Sequence, residues 1–288
     1  MPTLREVLSR AESDFLQSPH PDRAHLDAES LLLHTLQQNR AWLLAHLDDE
    51  VPTLTLPRLS TLISRRRTGE PMQYILGHAE FFGLDFIVDP SVLIPRPETE
   101  HLVEEVINLA HDFANPRIAD IGTGSGAIAI ALAHSLPSAK IFATDLSRAA
   151  LTIAQCNAAN NRVSGRITFL EGDLLAPLCN EPFTIIASNP PYIPFTDHDS
   201  LSPEVREYEP HLALFADEDG IAVYKRLIPA AKILLVPDGW LVMEIGYGQK
   251  PAIEHLLKIN NYKDIHFIQD YQHIPRVAAA QLPQTDSP

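Results

Sequence analysis

The chain has 288 residues, of which 45% are hydrophobic and 20% are charged, a composition typical of folded globular proteins and not of disordered or fibrous ones. At this length we expect one large domain or two modest ones. With 22 basic and 37 acidic residues, the formal net charge is -15. This argues against a protein that grips DNA or RNA broadly, because such binding depends on neutralising phosphates.

The cysteines, the histidines and the lack of long apolar runs indicate in which compartment the protein functions. Two cysteines, Cys156 and Cys179, are too few for a disulfide framework. The 13 histidines show no metal-ligand spacing, so no metal site is expected. The sequence shows neither an export signal nor an apolar run of membrane-spanning length. These features favour a cytoplasmic protein in a reducing environment, without membrane association.

The first part of the chain, residues 1–74, is predicted to be a small helical bundle, because leucines such as Leu4 and Leu8 recur at helix spacing. Its last helix ends in Arg65–Arg67, and we interpret this run as a solvated helix end in preference to a partner-binding surface. Residues 75–95 alternate aromatic and branched side chains around Gly83, which predicts a β-hairpin linker.

Residues 96–288 are predicted to form an α/β domain with a parallel sheet, because apolar runs alternate with helical patterns. Strands are expected at 117–121, 140–144, 167–170, 183–187, 240–245 and 266–269, and helices are expected to begin near 98, 127 and 147.

Three motifs follow three successive predicted strands. The first is a loop of Gly122, Thr123, Gly124, Ser125 and Gly126, whose glycines permit a tight turn and a close approach to a ligand. Asp145 ends the next strand, where a doubly wound fold places an acid on a ribose, and Asp173 follows the third, where it could accept from an adenine amine. Each motif alone is equally compatible with a turn or a helix cap, but their order favours a cofactor site.

The fourth motif is the tetrapeptide Asn189, Pro190, Pro191 and Tyr192, placed after the apolar run 185–188. A planar nitrogen is a weak nucleophile, so a site that alkylates it must hold its N–H groups and orient its lone pair. The Asn189 side-chain oxygen and the Pro190 carbonyl can accept those two hydrogens. The prolines stiffen the backbone, and Tyr192 offers a flat face for stacking.

These four motifs together resemble a class I S-adenosylmethionine-dependent methyltransferase, with a Rossmann-like domain, acting on a planar nitrogen. Three further stretches, Gly69-Glu-Pro-Met-Gln-Tyr-Ile75, Val92-Leu-Ile-Pro-Arg-Pro-Glu-Thr-Glu100 and Glu244-Ile-Gly246, make the chain similar to the PrmC/HemK family, the peptide chain release factor N5-glutamine methyltransferases. The family's late segment commonly has a glycine that 270–276 lacks, so the role of Arg276 stays open.

The resemblance implies methylation of the glutamine amide in the Gly-Gly-Gln motif of class I peptide chain release factors. It implies that the loop Gly122–Gly126 wraps the methionine and ribose of S-adenosyl-L-methionine, that Asp145 binds the ribose, and that Asp173 and Leu174 flank the adenine. Asn189 would also lie against the cofactor, and Asn189 to Tyr192 would hold the glutamine. The helical domain would recognise the protein substrate.

Three alternatives remain open at this point. An adenine-N6 methyltransferase acting on nucleic acid shares the Asn-Pro-Pro-Tyr motif, but most of the excess negative charge lies after residue 74, so we expect no direct nucleic-acid binding. A non-catalytic protein that binds the cofactor and docks on a partner would not need that motif. A nicotinamide-dependent dehydrogenase is disfavoured because its fingerprint is GxGxxG, whereas the spacing here is GxGxG.

Overall fold

A computed structural model describes residues 1–178, 182–217 and 219–284. The chain divides into two compact units, one formed by Met1–His78 with Leu201–Tyr208 and the other by Ala79–Ser200 with Glu209–Pro288. Residues 201–208 therefore join the first unit from the middle of the second, which the sequence pattern does not indicate. The predicted boundaries at 74 and 95 stay a prediction. Cys156 is an exposed free thiol, and Cys179 lies outside the described residues.

The first unit is helical, as predicted. Its helices are α1 (Leu4–Phe15), α2 (Ala24–Leu36), α3 (Arg40–Ala45), α4 (Thr55–Arg67) and α5 (Met72–Leu76), with α9 (Pro203–Tyr208) from the returning segment. A capping box begins α1: the Thr3 hydroxyl accepts from the Glu6 N–H, and the Glu6 carboxylate accepts from the Thr3 N–H. Buried leucines and Phe15 form the core of this unit.

The arginine run at the end of α4 is not simply solvated. Arg66 is only 2% exposed, and its Nε donates to Asp27 at 2.6 Å. Its Nη1 donates to Glu204 of α9 at 2.8 Å. The interpretation as a solvated helix end is therefore wrong for Arg66, because a buried guanidinium needs partners of opposite charge.

The second unit contains the hairpin and a seven-stranded sheet. Its strands are β1 (His78–Phe81), β2 (Leu84–Ile87), β3 (Arg117–Ile121), β4 (Lys140–Asp145), β5 (Ile167–Glu171), β6 (Phe183–Ser188), β7 (Leu235–Glu244), β8 (Lys263–Gln269) and β9 (Pro275–Gln281). β1 and β2 pair as the predicted hairpin, apart from the main sheet. The order of the main sheet is β5-β4-β3-β6-β7-β9-β8.

The sheet is mixed, which corrects the prediction of a parallel one. β5, β4, β3, β6 and β7 pair in parallel, but β9 pairs antiparallel to both β7 and β8. Only a short turn separates β8 from β9, and a parallel connection would need a long crossover. The predicted strand starting at residue 240 begins earlier, at Leu235, and β9 was not predicted.

Helices cover both faces of this sheet, which is the expected α/β arrangement. They are α6 (Glu100–Ala110), α7 (Ala127–Ser135), α8 (Arg148–Asn160), α10 (His211–Leu214), α11 (Ala222–Leu234) and α12 (Lys250–Ile259). Residues of α6 and α7 pack in one apolar cluster and residues of α11 and α12 in another, each with its own set of sheet residues. Among all helices in the described parts of the chain, none is long and apolar enough to cross a membrane.

Candidate active site

The glycine loop leaves β3 and leads into α7, as the sequence predicts. The φ values of Gly122, Gly124 and Gly126 are 74°, 55° and 83°. This left-handed backbone conformation is unfavourable for residues that carry a Cβ. A Cβ at Gly122 or Gly124 would meet no atom within 4 Å. The loop therefore presents bare backbone beside open space, as a ligand-wrapping loop requires. The side chains of Thr123 and Ser125 are buried instead.

Asp120 supports this loop from the end of β3. Its Oδ2 accepts from the Thr123 hydroxyl at 2.6 Å and from the Ala129 N–H at 3.2 Å, while its Oδ1 has no hydrogen-bond partner among the described residues. Burial raises the pKa of the Asp120 carboxyl to about 7, and these hydrogen bonds offset only part of the shift. A fully buried carboxyl with an unused oxygen thus lies directly beneath the loop.

Asp145 forms hydrogen bonds with the loops on either side of it at the carboxyl edge of the sheet. Its Oδ2 accepts from the Gly124 N–H at 2.8 Å, and its Oδ1 accepts from the Ser147 N–H at 2.8 Å. Its backbone oxygen accepts from the Gly172 N–H at 2.9 Å. Burial raises the pKa of the Asp145 carboxyl. Each carboxylate oxygen keeps a further lone pair for a ligand hydroxyl.

Asp173 and Leu174 follow β5 at the same edge. The Leu174 carbonyl accepts from the Thr144 hydroxyl at 2.9 Å, which fixes this turn against β4. The Asp173 carboxylate is exposed and forms an ion pair with Arg226 of α11, a residue that the sequence did not single out. Both Asp173 and Leu174 line an open cavity of about 450 Å³ whose other walls come mainly from α11.

Asn189 to Tyr192 begin where β6 ends. β6 pairs in register with β3, with Ile121 opposite Ser188, and the Ser188 hydroxyl donates to the Ile121 carbonyl at 2.7 Å. The glycine loop and the Asn-Pro-Pro-Tyr motif therefore leave adjacent parallel strands at one edge. Open α/β sheets bind their ligands at this edge.

A chain of buried and part-buried hydrogen bonds connects the motif to Glu244. The Asn189 Nδ2 donates to the Thr99 hydroxyl oxygen at 3.1 Å, and the Thr99 hydroxyl donates to Glu244 Oε2 at 2.6 Å. The Tyr192 hydroxyl donates to Glu244 Oε1 at 3.2 Å. Burial raises the pKa of both Glu244 and Tyr192, and the negative charge of Glu244 raises that of Tyr192 further.

The backbone at Tyr192 is also held. The Gln249 Nε2 donates to the Tyr192 carbonyl at 3.0 Å and to the Gly220 carbonyl at 3.1 Å. A Cβ at Gly220 would lie 2.5 Å from the Tyr192 carbonyl oxygen, so this close approach requires glycine. These contacts hold the last residue of the motif from two loops that follow it in the chain.

Sequence reasoning missed several of these supporting residues. In the sequence, Thr99 and Glu244 stand only as parts of longer motifs, and no pattern singles out Gln249 or Arg226. One signal was available: Glu244 directly follows the apolar run 240–243, so a buried carboxylate at a strand end was predictable. Arg276, whose role was left open, donates to Asp270 at 2.9 Å.

The described residues fit a cofactor such as S-adenosylmethionine. The open space beside Gly122 and Gly124 is a cradle that a Cβ would fill, and the unpartnered Asp120 oxygen and the remaining lone pairs of Asp145 can accept hydrogen bonds. Because the loop is lined by carboxylates and carries no lysine, it suits a ligand with a positive centre better than a polyphosphate.

Comparison with known families and proteins gives consistent matches. Residues 6–77 match the model of the PrmC N-terminal domain, and residues 98–205 match that of the methyltransferase small domain. The chain is 41% identical over 280 residues to the release factor glutamine methyltransferase of Geobacter sulfurreducens, covering 97% of both chains. It is 43% identical over 270 residues to that of Moorella thermoacetica, covering 93% of this chain and 95% of the other.

Solved structures with low sequence identity share the fold. A methyltransferase from Pyrococcus furiosus has a TM-score of 0.53 and 18% identity, covering 71% of this chain and 91% of the other. The N-terminal domain of human METTL16 in complex with SAH has a TM-score of 0.51 and 20% identity, covering 70% and 77%. These similarities confirm the expected methyltransferase fold of the second unit.

Proposed function

The chain belongs to the family of release factor glutamine methyltransferases, and from this premise we propose that it methylates a glutamine side-chain amide in a peptide chain release factor. The acceptor is the glutamine of the Gly-Gly-Gln motif of class I release factors. The methyl donor is S-adenosyl-L-methionine.

One observation supports this proposal most strongly. Ile121 and Ser188 are paired neighbours on β3 and β6, so the loop suited to the donor and the motif suited to the acceptor begin side by side. A transfer between two bound molecules needs their reacting atoms brought together in a fixed orientation, which accounts for much of the rate enhancement of such reactions.

The donor would be held by the residues at the ends of β3, β4 and β5. Gly122 and Gly124 offer bare backbone, Asp145 offers lone pairs to ribose hydroxyls, and Asp173 and Leu174 flank the adenine position. When bound, S-adenosyl-L-methionine supplies an electrophilic methyl group on a positively charged sulfur. Thr123 contributes through its backbone, since its hydroxyl already donates to Asp120.

The acceptor amide would be held by the residues after β6. The Asn189 Oδ1 and the Pro190 carbonyl accept its two N–H hydrogens, and the ring of Tyr192 stacks on its plane. Pro190 and Pro191 restrict the backbone that carries both acceptors. With its pKa raised by burial and by Glu244, the Tyr192 hydroxyl keeps its proton at neutral pH and acts as a hydrogen-bond donor, not as a base.

Incubation with isotopically labelled S-adenosylmethionine and purified release factor tests the proposal. Label is expected on the wild-type release factor and not on a release factor with Gln→Ala in its Gly-Gly-Gln motif. Label on both proteins would contradict the assigned acceptor. Label on DNA or RNA but on neither protein would replace the proposal with the nucleic-acid alternative.

Two variants assign roles within the same assay. Asn189→Ala should leave cofactor binding largely intact but lose turnover by about 100-fold or more, because the acceptor amide is no longer oriented. Asp145→Ala should weaken cofactor binding first, measured by calorimetry. Equal loss of cofactor binding and turnover in Asn189→Ala would argue against its role in holding the acceptor.

A further inference from the structure

We propose that Thr99 and Glu244 are positioning residues that set the orientation of the Asn189 side-chain amide, so that its oxygen and not its NH₂ group faces the acceptor. This inference rests on the proposed function and adds the groups that make Asn189 selective for an N–H ligand. It concerns residues of the second unit alone.

An asparagine amide has two ends of nearly equal size, and its hydrogen-bond partners decide which end points where. With the oxygen outward, Asn189 accepts from the N–H of a glutamine amide. With the NH₂ group outward, it would place N–H against N–H and repel the same ligand. The reaction therefore requires one of two orientations that an unconstrained Asn189 would exchange.

A count of hydrogens fixes the choice. Thr99 has one hydroxyl hydrogen, and it goes to Glu244 Oε2 across 2.6 Å. The Thr99 oxygen can then only accept, and the group 3.1 Å away must be a donor, which is the Asn189 NH₂ group. A flipped Asn189 would put two oxygens in contact with no hydrogen between them, in a part-buried setting where water replaces the lost bond less easily.

This series of hydrogen bonds from Glu244 through Thr99 to Asn189 depends on Glu244 acting as an acceptor. It is only 2% exposed, and its other oxygen accepts from the Tyr192 hydroxyl at 3.2 Å. Its backbone carbonyl accepts from the Tyr224 hydroxyl at 2.8 Å, which anchors the end of β7. One carboxylate thus contacts the last residue of the Asn-Pro-Pro-Tyr motif directly and the first residue through Thr99.

The test compares two substitutions at Thr99. Thr99→Val keeps the shape of the side chain but removes the hydroxyl, whereas Thr99→Ser keeps the hydroxyl. For Thr99→Val we expect kcat to fall about tenfold, the effect of one lost hydrogen bond, with KM for the release factor within about threefold of wild type. Cofactor affinity should not change. Thr99→Ser should recover kcat to within about threefold of wild type.

A second variant keeps the proposal testable if Thr99→Val folds poorly. In Glu244→Gln, a glutamine that turns its NH₂ group to Thr99 would release the Thr99 hydrogen to Asn189 and permit the flipped amide, so kcat should fall while KM changes little. The fold of every variant is checked by its melting temperature with the cofactor bound.

The outcomes separate this inference from the proposed function. If the wild-type enzyme does not label the release factor, the proposed function fails. If the wild type labels it and Thr99→Val does so with an equal kcat, only the positioning role fails. An equal loss of kcat in Thr99→Val and Thr99→Ser would also overturn it, because the hydroxyl would then not be the group that matters.

Discussion

Asp120 is a carboxyl group in an unusual setting for neutral pH. It is fully buried at the end of β3, where one oxygen accepts two hydrogen bonds and the other has no partner among the described residues. Burial raises its pKa from 3.8 to about 7, and the neighbouring charge of Asp145 adds to the shift. The raised pKa means that ionising Asp120 costs the folded state free energy.

The raised pKa of Asp120 predicts how the free energy of unfolding changes with pH. The folded protein holds a proton on Asp120 that the unfolded chain releases above its ordinary pKa, so stability from this group is present at low pH and is lost as pH rises towards 7. Asp120→Asn does not titrate. Its free energy of unfolding relative to wild type should rise between about pH 4 and 7, by at most about 1.4 kcal/mol per pH unit.

Urea unfolding of the two proteins at several pH values measures this difference. Since the groups distant from Asp120 are shared, their titration cancels in the comparison, and only neighbours such as Asp145 can add to the difference. Parallel curves of stability against pH would show that Asp120 does not titrate in this range.

At this scale, the sequence alone indicates the residues proposed to meet the ligands but not those that support them. Glycine and proline restrict the backbone locally, so the loop at 122–126 and the motif at 189–192 are visible as patterns. Thr99 and Glu244 are 145 residues apart in the chain, and their pairing depends on the tertiary fold. No local pattern encodes which distant hydroxyl a buried carboxylate will meet.

At the scale of elements, the glycines in the loop between β3 and α7 have different structural roles. At Gly126, the N-cap of α7, a Cβ would lie 3.0 Å from Ile130 Cδ1 and 3.1 Å from Ala154 Cβ, so this glycine lets α7 pack on α8. At Gly124, a Cβ would enter open space. One glycine is needed for packing and the other for access to the backbone.

Substitution of each glycine by alanine should affect stability and cofactor binding differently. Gly126→Ala should lower the free energy of unfolding by about 2–4 kcal/mol, since backbone strain adds to overpacking. Gly124→Ala should lower it by only about 1 kcal/mol but weaken cofactor binding by about tenfold or more. Gly165→Ala is the matched control, because Gly165 has an ordinary φ and open surroundings.

Calorimetric binding of S-adenosylmethionine and urea unfolding provide the two readouts. If Gly124→Ala binds the cofactor like the wild type, the loop does not wrap it. If Gly126→Ala is as stable as the control, the packing argument is wrong.

The first four strands of the main sheet were more predictable than its last strand. Strands β3, β4, β5 and β6 consist of apolar and branched residues between clear turn signals. β9 contains three consecutive alanines, a residue depleted in strands, and is extended because it lies between β7 and β8. Its conformation depends on neighbours that are distant in the sequence, and so does the reversal of direction that makes the sheet mixed.

On the scale of the whole molecule, the first unit is completed by a segment from far along the chain. Arg66 is buried with Asp27, itself only 3% exposed, and the two form an ion pair at 2.6 Å, while Asp27 also pairs with Arg23 at 3.7 Å. Glu204 of α9 adds a second carboxylate, and the Tyr208 hydroxyl donates to the Thr68 carbonyl at 3.0 Å.

Removing the guanidinium should therefore destabilise the first unit strongly. Arg66→Met leaves the buried Asp27 with only its longer ion pair to Arg23, at 3.7 Å, and we expect a loss of about 3–5 kcal/mol. Arg65→Met on the same helix is the control, since Arg65 is 40% exposed and its ion pair with Glu70 should contribute about 1 kcal/mol or less.

The two tryptophans allow each unit to be followed separately. Trp42 belongs to the first unit and Trp240 to the second, so a Trp240→Phe background makes fluorescence report on the first unit alone. A loss in Arg66→Met no greater than in Arg65→Met would show that the buried ion pair contributes little.

The return of residues 201–208 to the first unit also has a consequence during synthesis. A ribosome adds roughly 5–20 residues per second, so α9 emerges several seconds or more after α4 has been made. In that interval Arg66 can pair with Asp27 but not with Glu204, because α9 has not yet been synthesised. Its final set of ion pairs can form only after the first four parallel strands of the sheet have been translated, so the N-terminal unit is completed after much of the second unit has already been made.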